Sequence, residues 1–299
     1  MTEQTIVLAP GGHRPFPTIW LGRAGTFAKR KPLATVGALI IVMFIVVAVF
    51  AEAIAPYDPY TFQPKLRLLG PSSDHWLGTD EFGRDVFSRI VYGARISMTV
   101  GFLTVLSTTI AGSTIGVVSG YFGGWIDMLI QRFVDMFDSF PAIVLALAIV
   151  AARGQGTENV IIALAVVGTP PLSRVVRANV LSLKNRTFVE AARVLGASPL
   201  RIMLRHLLPN VVPTIIVLAT AGLGGAILAE ATLSFLGLGT PPPNPSWGAM
   251  LSGNARTYML VAPWLVIVPG LALTMTIYSF NFLGDGLRDV LDPRLRGGK

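Results

Sequence analysis

The sequence contains no cysteine. Disulfides, thiolate metal sites and cysteine nucleophiles are therefore excluded together, and the redox compartment cannot be read. Charge is scarce as well: only 13% of the 299 residues are Asp, Glu, Lys or Arg, against about 25% in soluble globular chains. Disorder is excluded, because it needs low hydrophobicity and high net charge. An ordinary soluble domain is excluded too. With 52% hydrophobic residues and a mean hydropathy of +0.63, a 31.9 kDa chain has more apolar surface than one soluble core can bury. The phosphate-cradling pattern G-x-x-x-x-G-K-[ST] is missing, so no P-loop nucleotide site is expected in this chain. His13, His75 and His206 lie in separate segments with no carboxylate at ligand spacing, so no metal site is expected. No Ser–His–acid or paired-carboxylate arrangement stands out, and no catalytic residue is assigned.

What is present is a series of long apolar runs. Leu33 to Ala51 carries no charge and can extend to Ile54; as a helix it reaches about 30 Å, the thickness of the hydrocarbon core. A signal peptide has an apolar region of only about 7–15 residues, so this run reads as an uncleaved first span. Further runs follow at 96–119, at 125–152 with an interruption at Pro141, at 160–170 extending to about Arg174, at 211–235 and at 258–283. The expectation is an all-α membrane protein of six transmembrane helices. Thr169-Pro170-Pro171 cuts the fourth run short, and proline at membrane depth is tolerated only where a neighbouring helix or a cavity satisfies the freed backbone groups.

The net charge of +8 could suggest nucleic acid, but the basic residues sit at the edges of apolar runs, where they set topology. No nucleic-acid partner is expected. The stretch 174–209 carries Arg174, Arg177, Lys184, Arg186, Arg193, Arg201 and Arg205 against one acid, Glu190. Placing it in the cytoplasm puts both termini inside, in a multi-pass inner- or plasma-membrane chain. The organisation that follows is a cytoplasmic tail 1–32, a first span 33–55, an extracytoplasmic segment 56–92, a core 93–283 of five spans with a cytoplasmic loop 184–210, and a cytoplasmic tail 284–299. The segments 56–92 and 237–257, the second containing Thr240-Pro-Pro-Pro-Asn-Pro-Ser-Trp247, are rigid turn-rich connectors or recognition surfaces outside.

The loop from Lys184 to Asn210 is amphipathic. Thr187 is placed to cap a short helix, with Glu190 completing a capping box. That helix should run through Leu195, with Gly196 supplying the turn and Ser198-Pro199 opening a second helix. Leu200, Met203, Leu204 and Leu207 share one face of it at helical spacing. Such a helix–turn–helix could anchor at the membrane surface or dock a cytoplasmic partner.

Glu190-Ala191-Ala192, then Gly196, then Leu208-Pro209 resembles the EAA loop of bacterial ABC-importer permeases, departing only at His206, where the family pattern has isoleucine. Ile54-Ala-Pro-Tyr-Asp-Pro59, Leu77-Gly-Thr-Asp-Glu-Phe-Gly-Arg84, Leu233-Ser-Phe-Leu-Gly-Leu-Gly239, Pro245-Ser-Trp-Gly248 and Asn281-Phe-Leu-Gly-Asp-Gly286 resemble the C-type permease of dipeptide, oligopeptide and nickel importers, over nearly the whole chain. The resemblance implies a type I ABC importer permease fold. It also implies a second homologous permease as heterodimer partner, two ATPase subunits that carry the ATP and magnesium, and an extracytoplasmic solute-binding protein. The substrate would be a peptide crossing the lipid bilayer by alternating access. Glu190, Ala191, Ala192, Gly196, Ala197, Ser198, Pro199 and Leu200 would form the coupling helix that docks on an ATPase. Alternatives kept open are nickel or another small solute as cargo, and a self-sufficient secondary transporter.

Other residues carry weaker expectations. Glu230, ionisable inside the fifth span, is a candidate for the translocation path or a structural carboxylate between helices. Asp80, Glu81, Arg84, Asp85 and Trp247 are candidates for docking the binding protein, or belong to a solvated face. Asp127, Asp135 and Asp138 flank Arg132 and could pair with it along one helix. Gly112, Gly116 and Gly120 would let a second helix approach closely.

Overall fold

A computed structural model describes residues 31–252 and 254–291. The basic residues expected in the tails before Lys31 and after Leu291 lie outside this range. The described residues are helical, without a β-strand beyond an isolated Thr79–Asp85 bridge. The helices are α1 (Pro32–Val49), α2 (Ala51–Ile54), α3 (Val86–Phe122), α4 (Gly124–Asp138), α5 (Ala142–Arg153), α6 (Thr157–Leu183), α7 (Thr187–Val194), α8 (Pro199–Phe235), α9 (Trp247–Met250), α10 (Asn254–Thr257) and α11 (Trp264–Leu291). Five of these, α1, α3, α6, α8 and α11, are long and apolar enough to cross a membrane. The pair α4 and α5 is apolar enough for a sixth when counted as one span, but it is bent by 87° where Ser139, Phe140 and Pro141 break the helix, the geometry of a broken span or a re-entrant loop.

Several boundaries differ from those read in the sequence. Helix α3 starts at Val86, not Ile96, so 86–92 belongs to the helix and not to an irregular connector. Asp85 caps it by accepting from the Ser88 amide at 2.8 Å, an arrangement worth about 1 kcal/mol. Helix α6 runs through Pro170 and Pro171 to Leu183; α11 begins at Trp264 instead of Tyr258 and continues past residue 284.

Small residues fix the packing. A Cβ on Gly116 would fall 2.6 Å from the Ser173 carbonyl oxygen, and one on Gly120 would fall 2.9 Å from Val180 Cβ, so the glycine stripe of α3 seats α6 directly against it. Helix α1 lies on α11 in the same way, through Gly37 and the Ser279 carbonyl.

The connectors 55–85 and 236–263 join into one cap at the end of the bundle where α3 and α11 begin. Trp264 Nε1 donates to the Thr79 carbonyl at 3.2 Å, and Trp247 Nε1 donates to the Ile90 carbonyl at 3.0 Å. At the opposite end, Lys31 pairs with Asp289, so the first and last described turns lie together there.

Candidate functional site

The segment at the end opposite the cap is built from a short helix pinned on one side only. In α7, Val189 and Ala192 are buried against Ile202, Met203 and Leu207 of α8. The helix stops because Gly196 adopts φ +77, its amide bonding to the Arg193 carbonyl at 3.0 Å. The Ala197 amide reaches back to the Ala192 carbonyl at 3.0 Å, the six-to-one closure of a glycine-terminated helix. Ser198 then caps α8 through the Arg201 amide, with Pro199 as first helical residue. Glu190, Ala191, Ser198, Pro199 and Leu200 are exposed around this turn, and Ala197 is half-buried. At its apex Val194 is 87% exposed and Leu195 86% exposed.

Two sequence expectations fail here. Arg186, not Thr187, is the N-cap residue, and it makes no side-chain cap, so the Thr187–Glu190 capping box does not form. Leu200 and Leu204 are exposed while Ile202, Met203 and Leu207 are buried. The cause is local: 202–207 winds as a π-helix, which rotates its buried face away from ordinary helical spacing.

The acidic cluster in the cap is turned inward. Asp80 is 5% exposed; its carboxylate accepts from the Phe82 and Arg84 amides at 2.8 and 2.9 Å and from Arg84 Nε at 2.7 Å. Arg89, equally buried, brings Nε within 3.4 Å of Asp80 and donates to the Pro59 carbonyl at 3.0 Å. Asp85 caps α3 and holds His75 Nδ1 at 2.9 Å, so that histidine does have a carboxylate partner, ten residues on. Trp247 is fully buried. Asp80, Asp85 and Trp247 therefore hold the cap together from inside, and contrary to the expectation their buried side chains offer no docking surface. Glu81 and Arg84 remain half-buried on a cleft of about 470 Å³ that also meets Pro243 and Asn244. Arg89, unremarkable in the sequence, touches both connectors, since the Pro243 carbonyl is also within reach at 3.5 Å; Tyr60 with Asn244 and Arg67 with Tyr258 join them as well. The only sequence signal of Arg89 is a charge at the mouth of a span.

Glu230 is sealed in the bundle, accepting from Ser234 Oγ at 2.7 Å and from Ser97 Oγ at 3.2 Å. Ser97 Oγ in turn accepts from the Trp247 amide at 3.3 Å. The carboxylate thus ties α8 to α3 and to the cap.

The acids of α4 pair across helices, not along one. Asp127 binds Arg177, and Arg174 binds Asp135 at 2.7 Å and also Asp138. Arg132 makes no ion pair among the described residues. The same scarcity extends to metal ligands: no group of three His, Asp or Glu could hold an ion among the described residues.

With this geometry established, comparison with known proteins is decisive. Residues 112–297 match the family described as binding-protein-dependent transport system inner membrane component. The chain belongs to that permease family. Residues 27–71 match the N-terminal transmembrane domain of oligopeptide transport permease C. The permease is 48% identical over 268 residues to a dipeptide transport system permease protein of Alkalihalophilus pseudofirmus, covering 90% of this chain and 88% of the relative. It is 47% identical over 270 residues to a glutathione transport system permease protein of Escherichia coli, covering 90% and 89%. In fold, the permease is similar to a chain of the inward-facing MetNI methionine ABC transporter, with a TM-score of 0.57 at 21% identity, covering 68% of this chain and 96% of that one. The permease is thus an inner-membrane subunit of an ABC importer with the type I fold, a transport component whose ATPase is a separate subunit.

Proposed function

We propose that this permease forms half of a peptide-conducting pathway and works by alternating access, paired with a second homologous permease. Both termini and α7 lie in the cytoplasm, and the cap faces outward, where a solute-binding protein delivers cargo. Two ATPase subunits, carrying ATP and magnesium, dock from inside. The relatives' named cargoes, a dipeptide and glutathione, are both built around amide bonds, which supports a peptide as substrate.

The observation that carries the coupling role is the bare apolar apex at Val194 and Leu195. Two branched aliphatic side chains fully presented to solvent at a glycine turn are costly without a partner. Their helix is held on its other face by α8, so a push on the apex is transmitted directly into a membrane-crossing helix. Glu190 through Leu200 therefore form the contact through which ATPase closure moves the spans. Glu230 is assigned a structural role in the outer half of the bundle, and the cleft that Glu81 and Arg84 line, half-buried, is offered to the binding protein.

Exchange of Leu195 for aspartate tests this. The variant should insert and fold, yet fail to retain its ATPase subunits on purification. Undiminished co-purification and coupled uptake would remove the docking role.

A further inference from the structure

Threonine inside a membrane helix usually satisfies its hydroxyl by donating to the carbonyl four residues back. Thr114, Thr169, Thr220, Thr232 and Thr276 all do so here, at 2.7–2.8 Å. Three threonines in the middle of α3 do not. Thr104 is 4% exposed and its Oγ1 has no hydrogen-bond partner. Thr108 and Thr109, one turn further on, also make no side-chain hydrogen bond among the described residues. All three line one cavity of about 360 Å³ between α3, α6 and α8. Ser113, the other buried hydroxyl without a partner, does not line it.

The sequence leaves a backbone acceptor short of donors in the helix beside the cavity. Pro170 and Pro171 lack amide protons, so the Val167 carbonyl loses both donors that a helix could offer it, three and four residues on. Val167 lines the same cavity. Glycine keeps the far wall open: a Cβ on Gly225 would meet nothing within 4 Å. No charged residue contributes to the lining.

We propose that this mid-membrane cavity is a contact site for the backbone amides of the cargo peptide, with the hydroxyls of Thr104, Thr108 and Thr109 supplying the hydrogen bonds. The proposal rests on the peptide-import reading above. An amide is uncharged and presents one donor and one acceptor, which a hydroxyl matches in both senses. The uncharged lining suits an amide, with the charged termini of the peptide left outside it. An acyl chain would leave all three hydroxyls unsatisfied where no water competes. The volume falls in the range of small-molecule sites, about 300–1,000 Å³, enough for a short stretch of chain with small side chains. Because hydroxyls read the amide and not the side chain, such a site passes many sequences.

The chain's lack of cysteine makes the test clean. The complete transporter, with its partner permease, ATPases and binding protein, is reconstituted in proteoliposomes. Labelled dialanine and trialanine serve as probes. In one arm, the Gly225→Cys variant is treated with a water-soluble, anionic methanethiosulfonate, and modification of this chain is read by mass. The proposal expects modification, slowed about tenfold by dialanine with ATP, the protection given by a bound ligand. Modification only by a lipid-soluble maleimide, or by neither reagent because lipid or the second permease covers the wall, overturns it.

In the other arm, Thr104→Val, Thr108→Val and Thr109→Val are combined, and the matching serine variants restore the hydroxyls. The valine set should lower peptide taken up per ATP hydrolysed by about tenfold, the scale of losing one or two net hydrogen bonds, and the serine set should restore it. Assembly is checked for both by size-exclusion chromatography. If the native transporter takes up neither peptide, the peptide-import reading fails and the cargo assigned here fails with it. If native uptake is normal and the valine set assembles and transports equally well, the site alone is overturned.

Discussion

Arg177 on α6 grips Asp127 on α4 through a forked pair, with Nε 2.6 Å from Oδ1 and the second nitrogen on Oδ2. Ser119 of α3 also donates to Asp127, and Gln131 donates to Ser119 Oγ at 3.0 Å. Three helices thus meet on one carboxylate near the end of the bundle that carries α7. Removing the fork through Asp127→Asn should cost about 1.5–3 kcal/mol, the worth of hydrogen bonds to a charged group. The expected signature is a lower melting temperature of the detergent-purified chain. Adding Arg177→Met should cost less than the sum of the two single changes, because the first already leaves the guanidinium unpaired. Strict additivity would mean the pair does not couple the helices.

Glu230 separates two roles by two substitutions. Glu230→Gln keeps an acceptor for Ser97 and Ser234 and should leave assembly and uptake near normal. Glu230→Leu strands both hydroxyls inside the bundle and should destabilise it by about 2–4 kcal/mol. Complexes recovered from membranes report the second effect. Loss of uptake in a fully assembled Glu230→Gln transporter would instead place the charge on the cargo's path.

Arg89 is not replaceable by lysine. Its guanidinium reaches Asp80 and the Pro59 carbonyl at once, and Pro243 lies at 3.5 Å; an ammonium on a flexible stem cannot span that fork. Arg89→Lys should loosen the cap while leaving the spans in place. Limited proteolysis should then cut between residues 56 and 85 faster than in the native chain, with the α3–α6 pair still resistant.

Gly196 sits at φ +77 with open space around its α-carbon. Gly196→Val therefore meets no clash, only the cost of a left-handed backbone, about 1–2 kcal/mol. The turn should relax and swing the Val194–Leu195 apex. The predicted result is ATP hydrolysis without proportional uptake in a complex that still assembles. Retained coupling would show that the shape of the turn is immaterial.

How much of this was legible in the sequence depended on how local each cause was. The first span, the Gly196 turn and the Ser198 cap with Pro199 are set by residues within a few positions of one another, and they could be read directly. The early start of α3 was hidden because Arg89 and Arg95 interrupt the apolar run; both are neutralised by distant groups, Arg95 by Glu52 and the carbonyls of Ala48 and Val49. Pro170 and Pro171 suggested a break, yet α6 continues, packed along the α3 glycine stripe. Charge pairing misled for the same reason. Arg132 lies among the α4 acids in sequence, but Arg174 and Arg177 reach them from another helix. The buried face of the coupling segment was misjudged because a π-turn changes the period, and no residue pattern announced it. The burial of Asp80, Asp85 and Trp247 required knowing that the two connectors form a single cap.

The central claim is that this permease moves cargo only when a separate ATPase works through the α7 turn. Uptake of labelled dialanine into proteoliposomes, measured together with ATP hydrolysis, tests it most directly. The account predicts that both appear only when the second permease, the ATPases and the binding protein are present, and that Leu195→Asp abolishes uptake. Dialanine accumulation by this chain alone on a proton or sodium gradient, without ATP, would contradict it.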